Sequence, residues 1–415
     1  MHVPPFPKIL LVVCFAALAA GQATGCKCAS KYHGKSGWEQ AKLDANDATV
    51  IFEGVPVRAE LQWDLLQAQE GARISANAFS DRACEPRMLV TFRVQRSYKG
   101  ALGPTVQIKT GLGGGDCGAV FDTGLTYLVF GDGTNLSDLN VNMCSPGGWV
   151  ESPFVATELR YVRKEQPIAS DLAISKSGTP DATAAIEAQT RRNSEEFQRR
   201  YAAATGKICG RVLAEKATYE NDGILSFLSA DGYSPIQHPD SAVNPDGSFC
   251  SSLLGPGEYY LYFSRGSQDG PTSASYYPGE AEQDKATKIK VKAGQTESNI
   301  TFSVPKQKAY SVRGVISTDD KSGLGAYSVS VSLISLDGLP YLFARNKTVD
   351  FEGALPLPKV KYFEMENVPP GRYVAYVSVL GKGWYTKKKI VNVTTHSKFI
   401  SLELEHTVPT NSPGH

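Results

Sequence analysis

From residue 48 to about 145, β-branched and aromatic residues come in short runs separated by glycine and aspartate: ATVIFEGVPV, MLVTFRVQRSYKG, TVQIKTG and LTYLVFG. Runs of this length and composition predict strands. Residues 58–87 interrupt them with a polar, Ala- and Gln-rich insertion that carries Cys84 and reads as partly helical. The pattern changes again over 151–204. After FVATELRYVRKEQPIASDL and a Ser/Gly/Pro break comes AAIEAQTRRNSEEFQRRYAAA, whose Ala, Glu, Gln and Arg favour a helix. Ile186, Phe197 and Tyr201 give this helix a thin apolar stripe, and Arg191, Arg192, Arg199 and Arg200 read as a solvated face. The segment is expected to be a helical linker.

From residue 206 onward the pattern repeats. One copy opens GKICGRVL, passes NPDGSF and reaches LLGPGEYYLYF; the other opens SVRGVIS, passes TVDFEG and reaches NVPPGRYVAYV. Gly210 aligns with Gly314 at an offset of 104 and Gly257 with Gly371 at 114, so loop insertions separate shared strands. Each copy closes on alternating strands, TKIKVKAGQTESNITFSV and KKKIVNVTTHSKFISLEL. A unit of about 100 residues with several short strands is the size of a β-sandwich. The expected fold class is therefore all-β and multidomain: an N-terminal β unit, a short helical linker and two tandem β-sandwiches.

Residues 1–25 read as an address. Lys8 precedes the apolar run ILLVVCFAALAA and the small residues GQATG. That run is too short for a bilayer, which needs about 20 residues, and the order charge, apolar run, small residues is that of a secretory signal. Cleavage is expected before Cys26. ATGC is also a lipobox with Ala23 where leucine is usual, so a lipid on Cys26 is the minority reading.

Export makes disulfides the default use of the seven remaining cysteines. Cys209 and Cys250 are expected to staple one later unit. Five remain: Cys26, Cys28, Cys84, Cys117 and Cys144. Either Cys84 is unpaired, or Cys26 carries a lipid and the other four pair among themselves. No C-x-x-C pair supports a metal site, and no metal or cofactor is expected.

The net charge is +1, from 43 Lys+Arg against 42 Asp+Glu. Such a balance gives no field to steer the chain onto nucleic acid or an anionic membrane. Hydrolase signatures are missing: the sequence has no G-x-S-x-G and no H-E-x-x-H. The histidines, His2, His33, His238, His396, His406 and His415, form no pair at helical ligand spacing. TGLGGGDCG lacks the Gly-Lys-Ser/Thr end of a phosphate loop, and Asp116 and Asp246 read as turn caps. No catalytic residue is assigned.

Residues 26–150 resemble the netrin-like domain of tissue inhibitors of metalloproteinases, an OB-type barrel. The resemblance rests on Cys26-x-Cys28 after a signal, VIFEGVPV, VTFRVQRSYKG, TGLGGGDCG, YLVF and a closing Cys144. It implies bonds Cys26–Cys117 and Cys28–Cys144, leaving Cys84 unpaired. It also implies that a free α-amine and carbonyl at Cys26 could chelate the zinc of an external metalloprotease, with Lys27 entering the protease's specificity pocket. The animal inhibitors place a small Thr or Ser there, and an ammonium in an apolar pocket is strongly penalised.

Residues 206–305 and 308–406 are similar to carboxypeptidase-regulatory-like sandwiches, on DGSF and GPGEYYL in the first copy and VPPGRY in the second. This implies a structural or binding role. Residues 151–205 join the units and 407–415 form a tail.

The leading expectation is an exported, non-enzymatic binding or structural module, secreted or in the cell envelope. Its partner would be a protein or an envelope glycan, with a membrane involved only through a lipid on Cys26. The alternatives are a metalloprotease inhibitor acting through Cys26, and a carbohydrate-binding adaptor with Tyr277 and Trp384 as sugar platforms. Sequons at Asn135, Asn299, Asn346 and Asn392 matter only in a glycosylating host.

Overall fold

The chain enters its first β unit through a helix the strand patterns do not announce. Helix α1 (Gly37–Asp47) starts at Ser36, whose hydroxyl accepts from the Glu39 N–H while the Glu39 carboxylate accepts from the Ser36 N–H, a capping box. The computed structural model describes residues 35–62, 69–75, 87–111, 117–173, 180–213, 223–230, 241–265, 273–280, 282–304, 310–318, 327–336, 345–351, 359–379, 384–393 and 398–406. The signal, Cys26, Lys27, Cys28, Cys84, Asp116 and the tail lie outside these residues.

Strands β1 (Val50–Gln62), β2 (Arg73–Ser75), β3 (Arg87–Lys99), β4 (Thr105–Thr110), β5 (Tyr127–Gly131) and β6 (Gly147–Trp149) follow. Five of them form one sheet in the order β4-β3-β1-β5-β6. Residues 139–141 then close the ring. Asn140 bridges in parallel to Lys109 on β4 and antiparallel to Asp132 beyond β5. The N–H of Val141 donates to the Lys109 carbonyl at 2.9 Å, and that of Asn140 to the Asp132 carbonyl at 2.7 Å. The result is a closed β-barrel filled by an edge-to-face aromatic chain, Phe52–Phe92–Phe121–Tyr127, with centroids 5.0–5.5 Å apart.

Helices α2 (Ala156–Val162), α3 (Ala169–Leu172) and α4 (Pro180–Ala204) come next. Asp171, only 2% exposed, fastens α3 to α2 by accepting from Arg160 Nε at 2.8 Å and Thr157 Oγ1 at 2.7 Å. Burial alone would raise its pKa; Arg160, the Ile168 N–H and Thr157 outweigh it and hold the carboxyl at about 2. Helix α4 does more than span a gap. Phe197 and Tyr201 turn their rings edge-on to Trp149 at 5.9 and 5.7 Å and join the barrel core. The four arginines of its polar side are exposed, as expected.

The first sandwich contains β7 (Lys207–Leu213), β8 (Gly223–Ser229), β9 (Ser241–Ala242), β10 (Ser248–Cys250), β11 (Gly257–Arg265), β12 (Ser273–Tyr276), β13 (Ile289–Val291) and β14 (Thr296–Ser303). Its sheets are β10-β7-β14 and β12-β11-β8-β9, with β13 also on β11. The second contains β15 (Tyr310–Thr318), β16 (Tyr327–Ser335), β17 (Arg345–Phe351), β18 (Lys359–Val368), β19 (Gly371–Val379), β20 (Trp384–Lys387), β21 (Lys389–Val393) and β22 (Lys398–His406). Its sheets are β18-β15-β22-β20-β2 and β17-β16-β19-β21.

The two sandwiches repeat each other in all strand pairings but one: β12 pairs with β11, whereas its counterpart β20 pairs with β22 in the opposite sheet. In each, the first strand runs parallel to the last and antiparallel to a second edge strand. Gly210 lies between Ile300 and Phe249 just as Gly314 lies between Ile400 and Phe363. A Cβ on either glycine would collide with the carbonyl oxygen of the facing isoleucine, so the parallel strand pair requires glycine there. In each copy a buried tyrosine donates to the carbonyl four residues upstream: Tyr259 to Gly255 at 2.7 Å and Tyr373 to Pro369 at 2.9 Å.

The insertion differs from its sequence reading. Strand β1 runs on to Gln62, and β2 leaves the barrel to pair with β20 of the second sandwich, Arg73 opposite Lys387 and Ser75 opposite Tyr385. The Gly71 N–H donates to the Lys388 carbonyl at 2.8 Å, and the Lys388 N–H to that of Ala72 at 2.9 Å. Alternation within a three-residue strand is too short to read against an Ala/Gln-rich background.

Beside the shared glycine the copies diverge instructively. Cys209 and Cys250, directly opposite each other, are joined by a disulfide; Arg313 and Glu364 hold the equivalent places and form an ion pair at 2.7 Å. Strand β10 has three residues where β18 has ten, so the first copy needs the covalent link more. Closing a loop of 41 residues should contribute about 3–4 kcal/mol, an exposed ion pair less than about 1 kcal/mol. Urea unfolding should show Cys209→Ser/Cys250→Ser destabilised by several times more than Arg313→Ala. Equal losses would show that the disulfide adds nothing to the strand pairing.

Candidate functional site

The cysteines singled out at the barrel end mark a cleft. Cys117 has a left-handed backbone, φ 60°, and its carbonyl accepts from the Met143 N–H at 2.8 Å, which sets the 117–121 segment beside 141–148. Asn142 shapes the second segment: its side-chain oxygen accepts from the Cys144 N–H at 2.8 Å, and its own N–H donates to Ser145 Oγ at 3.0 Å. Cys117 and Cys144 are each disulfide-bonded. Between the two segments lies a cleft of about 470 Å³, with Ala119, Phe121, Val141 and Met143 on its walls and residues 127–130 at its floor. Among the described residues its lining carries no carboxylate, amine or imidazole, and its polar side chains are Tyr127, Asn142 and Ser145.

One wall continues into a buried carboxylate that joins barrel and helix. Asp122, 7% exposed, accepts from Tyr201 Oη of α4 at 2.7 Å and from Tyr127 Oη of β5 at 3.2 Å. Its N–H donates to Tyr127 Oη at 2.8 Å. The next residue, Thr123, shares a 3.0 Å hydrogen bond with Tyr259 of the first sandwich. Gly255 passes so close to Thr123 that a Cβ there would strike its carbonyl oxygen. Barrel, helix and sandwich meet at two consecutive residues. Other ionisable groups also serve as fasteners: Glu53 accepts from Arg163 Nε at 3.0 Å and from Tyr98 Oη, and Asp246 accepts from the Ser248 N–H at 2.9 Å in its turn. Among the described residues no three His, Cys, Asp or Glu side chains gather as a metal site, and no helix is long and apolar enough to cross a membrane.

The two proposed sugar platforms are not brought together. Tyr277 follows β12 in the first sandwich, half-buried, with its ring edge-on to Phe302 at 5.9 Å and its N–H donating to the Leu261 carbonyl at 2.9 Å. Trp384 begins β20 of the second sandwich, opposite His406, and is not in a loop. Sequence reading missed the Asp122 cluster altogether. The available signal was slight: Tyr201 on the thin stripe of α4, and an aspartate-threonine pair within an otherwise apolar stretch.

No protein-family model matches the chain, and no curated protein matches it. Among solved structures it is similar to the Bacillus anthracis TIE protein at 12% identity and a TM-score of 0.17, covering 49% of this chain and 34% of that one. It is similar to GBS52, the minor pilin of Streptococcus agalactiae, at 11% identity and 0.22, covering 51% of this chain and 100% of that one. A DUF3823 family protein from Bacteroides ovatus gives 14% and 0.16, covering 46% and 100%. The chain spans about a third of the TIE protein's length. At these scores none of them fixes a fold or a function for this chain.

Burial, and after it the charge of Asp122, raises the Tyr201 pKa well above its ordinary 10.0. A raised folded-state value means that the stabilisation is complete below the unfolded pKa and is lost as pH climbs above it. Tyr201→Phe should cost about 1–2 kcal/mol at neutral pH, and it should flatten the loss of stability above pH 10 measured by urea unfolding. An unchanged alkaline slope would remove Tyr201 from the junction's energetics.

Proposed function

We propose that this chain is an exported, non-enzymatic binding or structural module of the cell envelope or extracellular space. The observation that carries the reading is that every cysteine among the described residues, Cys117, Cys144, Cys209 and Cys250, is in a disulfide. Cross-links of this density belong to oxidising compartments. The carboxylates and tyrosines described above support the non-enzymatic part, because they are spent on holding elements together. On this reading residues 1–25 are a removed signal, 26–150 a netrin-like barrel, 206–305 and 308–406 carboxypeptidase-regulatory-like sandwiches, and the partner is a protein or an envelope glycan.

One observation favours a second reading. The two cysteines beside the barrel cleft are each in a disulfide, which suits the bonds Cys26–Cys117 and Cys28–Cys144 that the family resemblance implies. Those bonds would hold the Cys26 amine rigid, ready to chelate an external protease's zinc at little entropic cost. Lys27 opposes this for any protease with an apolar pocket and restricts it to one with an acidic pocket.

Intact mass and non-reducing peptide mapping of the protein exported by its own host test both readings. The expected result is Cys26 as a free N-terminus, linked peptides Cys26–Cys117, Cys28–Cys144 and Cys209–Cys250, and a free Cys84 thiol. Reduced thiols at Cys117, Cys144, Cys209 and Cys250 would overturn export. A lipid mass on Cys26 would eliminate the chelator and leave a membrane-tethered module. Given the free N-terminus, one glycine inserted before Cys26 should abolish inhibition of any responsive protease.

A further inference from the structure

The outer face of the sheet β18-β15-β22-β20-β2 carries two large rings in water. Tyr362 on β18 is 75% exposed and Phe399 on β22 is 65% exposed, with Val360 beside them at 45%. Register places Tyr362 opposite Val315, and Phe399 opposite Arg313. The rings therefore stand two strands apart and two residues out of step, about 12 Å from one another by strand geometry. Between them lies the Arg313–Glu364 ion pair, and further across the face Lys387 pairs with Glu403 at 2.6 Å.

The fold does not require these rings. The first sandwich repeats the same strands, and there Ser248 faces Arg211 as Tyr362 faces Val315. Asn299, exposed, precedes Ile300 as Phe399 precedes Ile400, but it sits in a bulge with left-handed backbone, φ 65°, whereas Phe399 is in regular register. One copy thus has polar residues at both positions and the other has aromatic ones, at the cost of exposed apolar surface.

We propose that this face binds a glycan chain, the rings stacking on the C–H faces of two sugar units while Arg313 and Glu364 between them hydrogen-bond hydroxyls. The interspersed charges of both signs give no field for an anionic polymer or lipid surface, which favours a ligand of low charge. The area argues against a second copy of the chain as occupant. Two aromatic side chains bury about 150–250 Å² each, well short of the roughly 800 Å² per partner of a stable protein interface. The site lies apart from the barrel cleft and is independent of Tyr277. It deepens the binding-module reading and rests on it, but the disulfide map tests that reading without reference to these rings.

The test is depletion of the full chain from solution by insoluble cellulose, chitin and peptidoglycan, compared with Tyr362→Ser, Phe399→Thr and the double variant. Each single change should weaken retention on the bound polysaccharide about tenfold and the double change should abolish it. Unfolding midpoints should be unchanged, because the sister sandwich folds with polar residues at both places. Wild-type retention in the double variant, or no retention of the wild type by any of the three polymers, overturns the proposal. So does a wild-type dimer in sedimentation that the double variant dissolves, which would assign the face to a contact between copies. Loss of retention on ring removal combined with reduced thiols would separate this site's success from the failure of export.

Discussion

A single buried carboxylate ties the N-terminal half together. Asp122 lies at the end of a barrel wall, and its two tyrosine donors come from different elements, β5 and the long helix α4. A carboxylate at 7% exposure is tolerable only with hydrogen-bond donors in place, so any rearrangement of helix against barrel costs it the Tyr201 donor. Thr123 passes the constraint on to the first sandwich through Tyr259, whose hydroxyl is already committed to the Gly255 carbonyl. A helix that reads as a spacer thus works as a clamp. Its thin apolar stripe suffices because Phe197 and Tyr201 close on Trp149, while its four arginines stay in water.

The duplicated sandwiches show how one backbone solution survives different side chains. The position of closest approach is fixed: glycine between an isoleucine carbonyl on one side and a phenylalanine on the other, in both copies. Around it the outer face varies freely, since nothing in the core depends on it. A disulfide in one copy becomes an ion pair in the other, and serine and asparagine become tyrosine and phenylalanine. The covalent link accompanies the three-residue edge strand, and the weaker electrostatic link the ten-residue one.

What was legible in the sequence followed periodicity. VIFEGVPV, VTFRVQ and TVQIKT fold as strands because their alternation and β-branching leave no competing pattern, and the Gly210/Gly314 alignment holds because a steric requirement recurs. Helix α1 was missed, although Ser36 and Glu39 carry its start signal, which is easily lost beside a polar helix with a single buried alanine. The Asp122 cluster was not legible, because its partners are 5 and 79 residues away and only the closed barrel brings them together. Tyr277 and Trp384 drew notice as aromatic residues near glycine, yet one turns onto Phe302 and the other begins a strand. Tyr362 and Phe399 lie in strands of ordinary alternation, and only register shows that both face outward on neighbouring parts of one sheet.

Strand β2 shows why chain order misleads about contacts here. It belongs by sequence to the barrel, yet it hydrogen-bonds to β20, more than 300 residues later. The entropy of closing so long a loop grows only logarithmically, so distance along the chain is a weak deterrent, particularly when α4 and the Asp122 junction already hold the intervening bodies. The gain lies at the sheet edge. Without β2, β20 would present unpaired amides and carbonyls, the usual template for unwanted strand addition. The Glu70 carboxylate helps hold the strap by accepting from the Ile390 N–H at 3.4 Å. The first unit of the chain therefore completes the last sheet, and a substitution in residues 69–75 should be felt in the second sandwich before it is felt in the barrel.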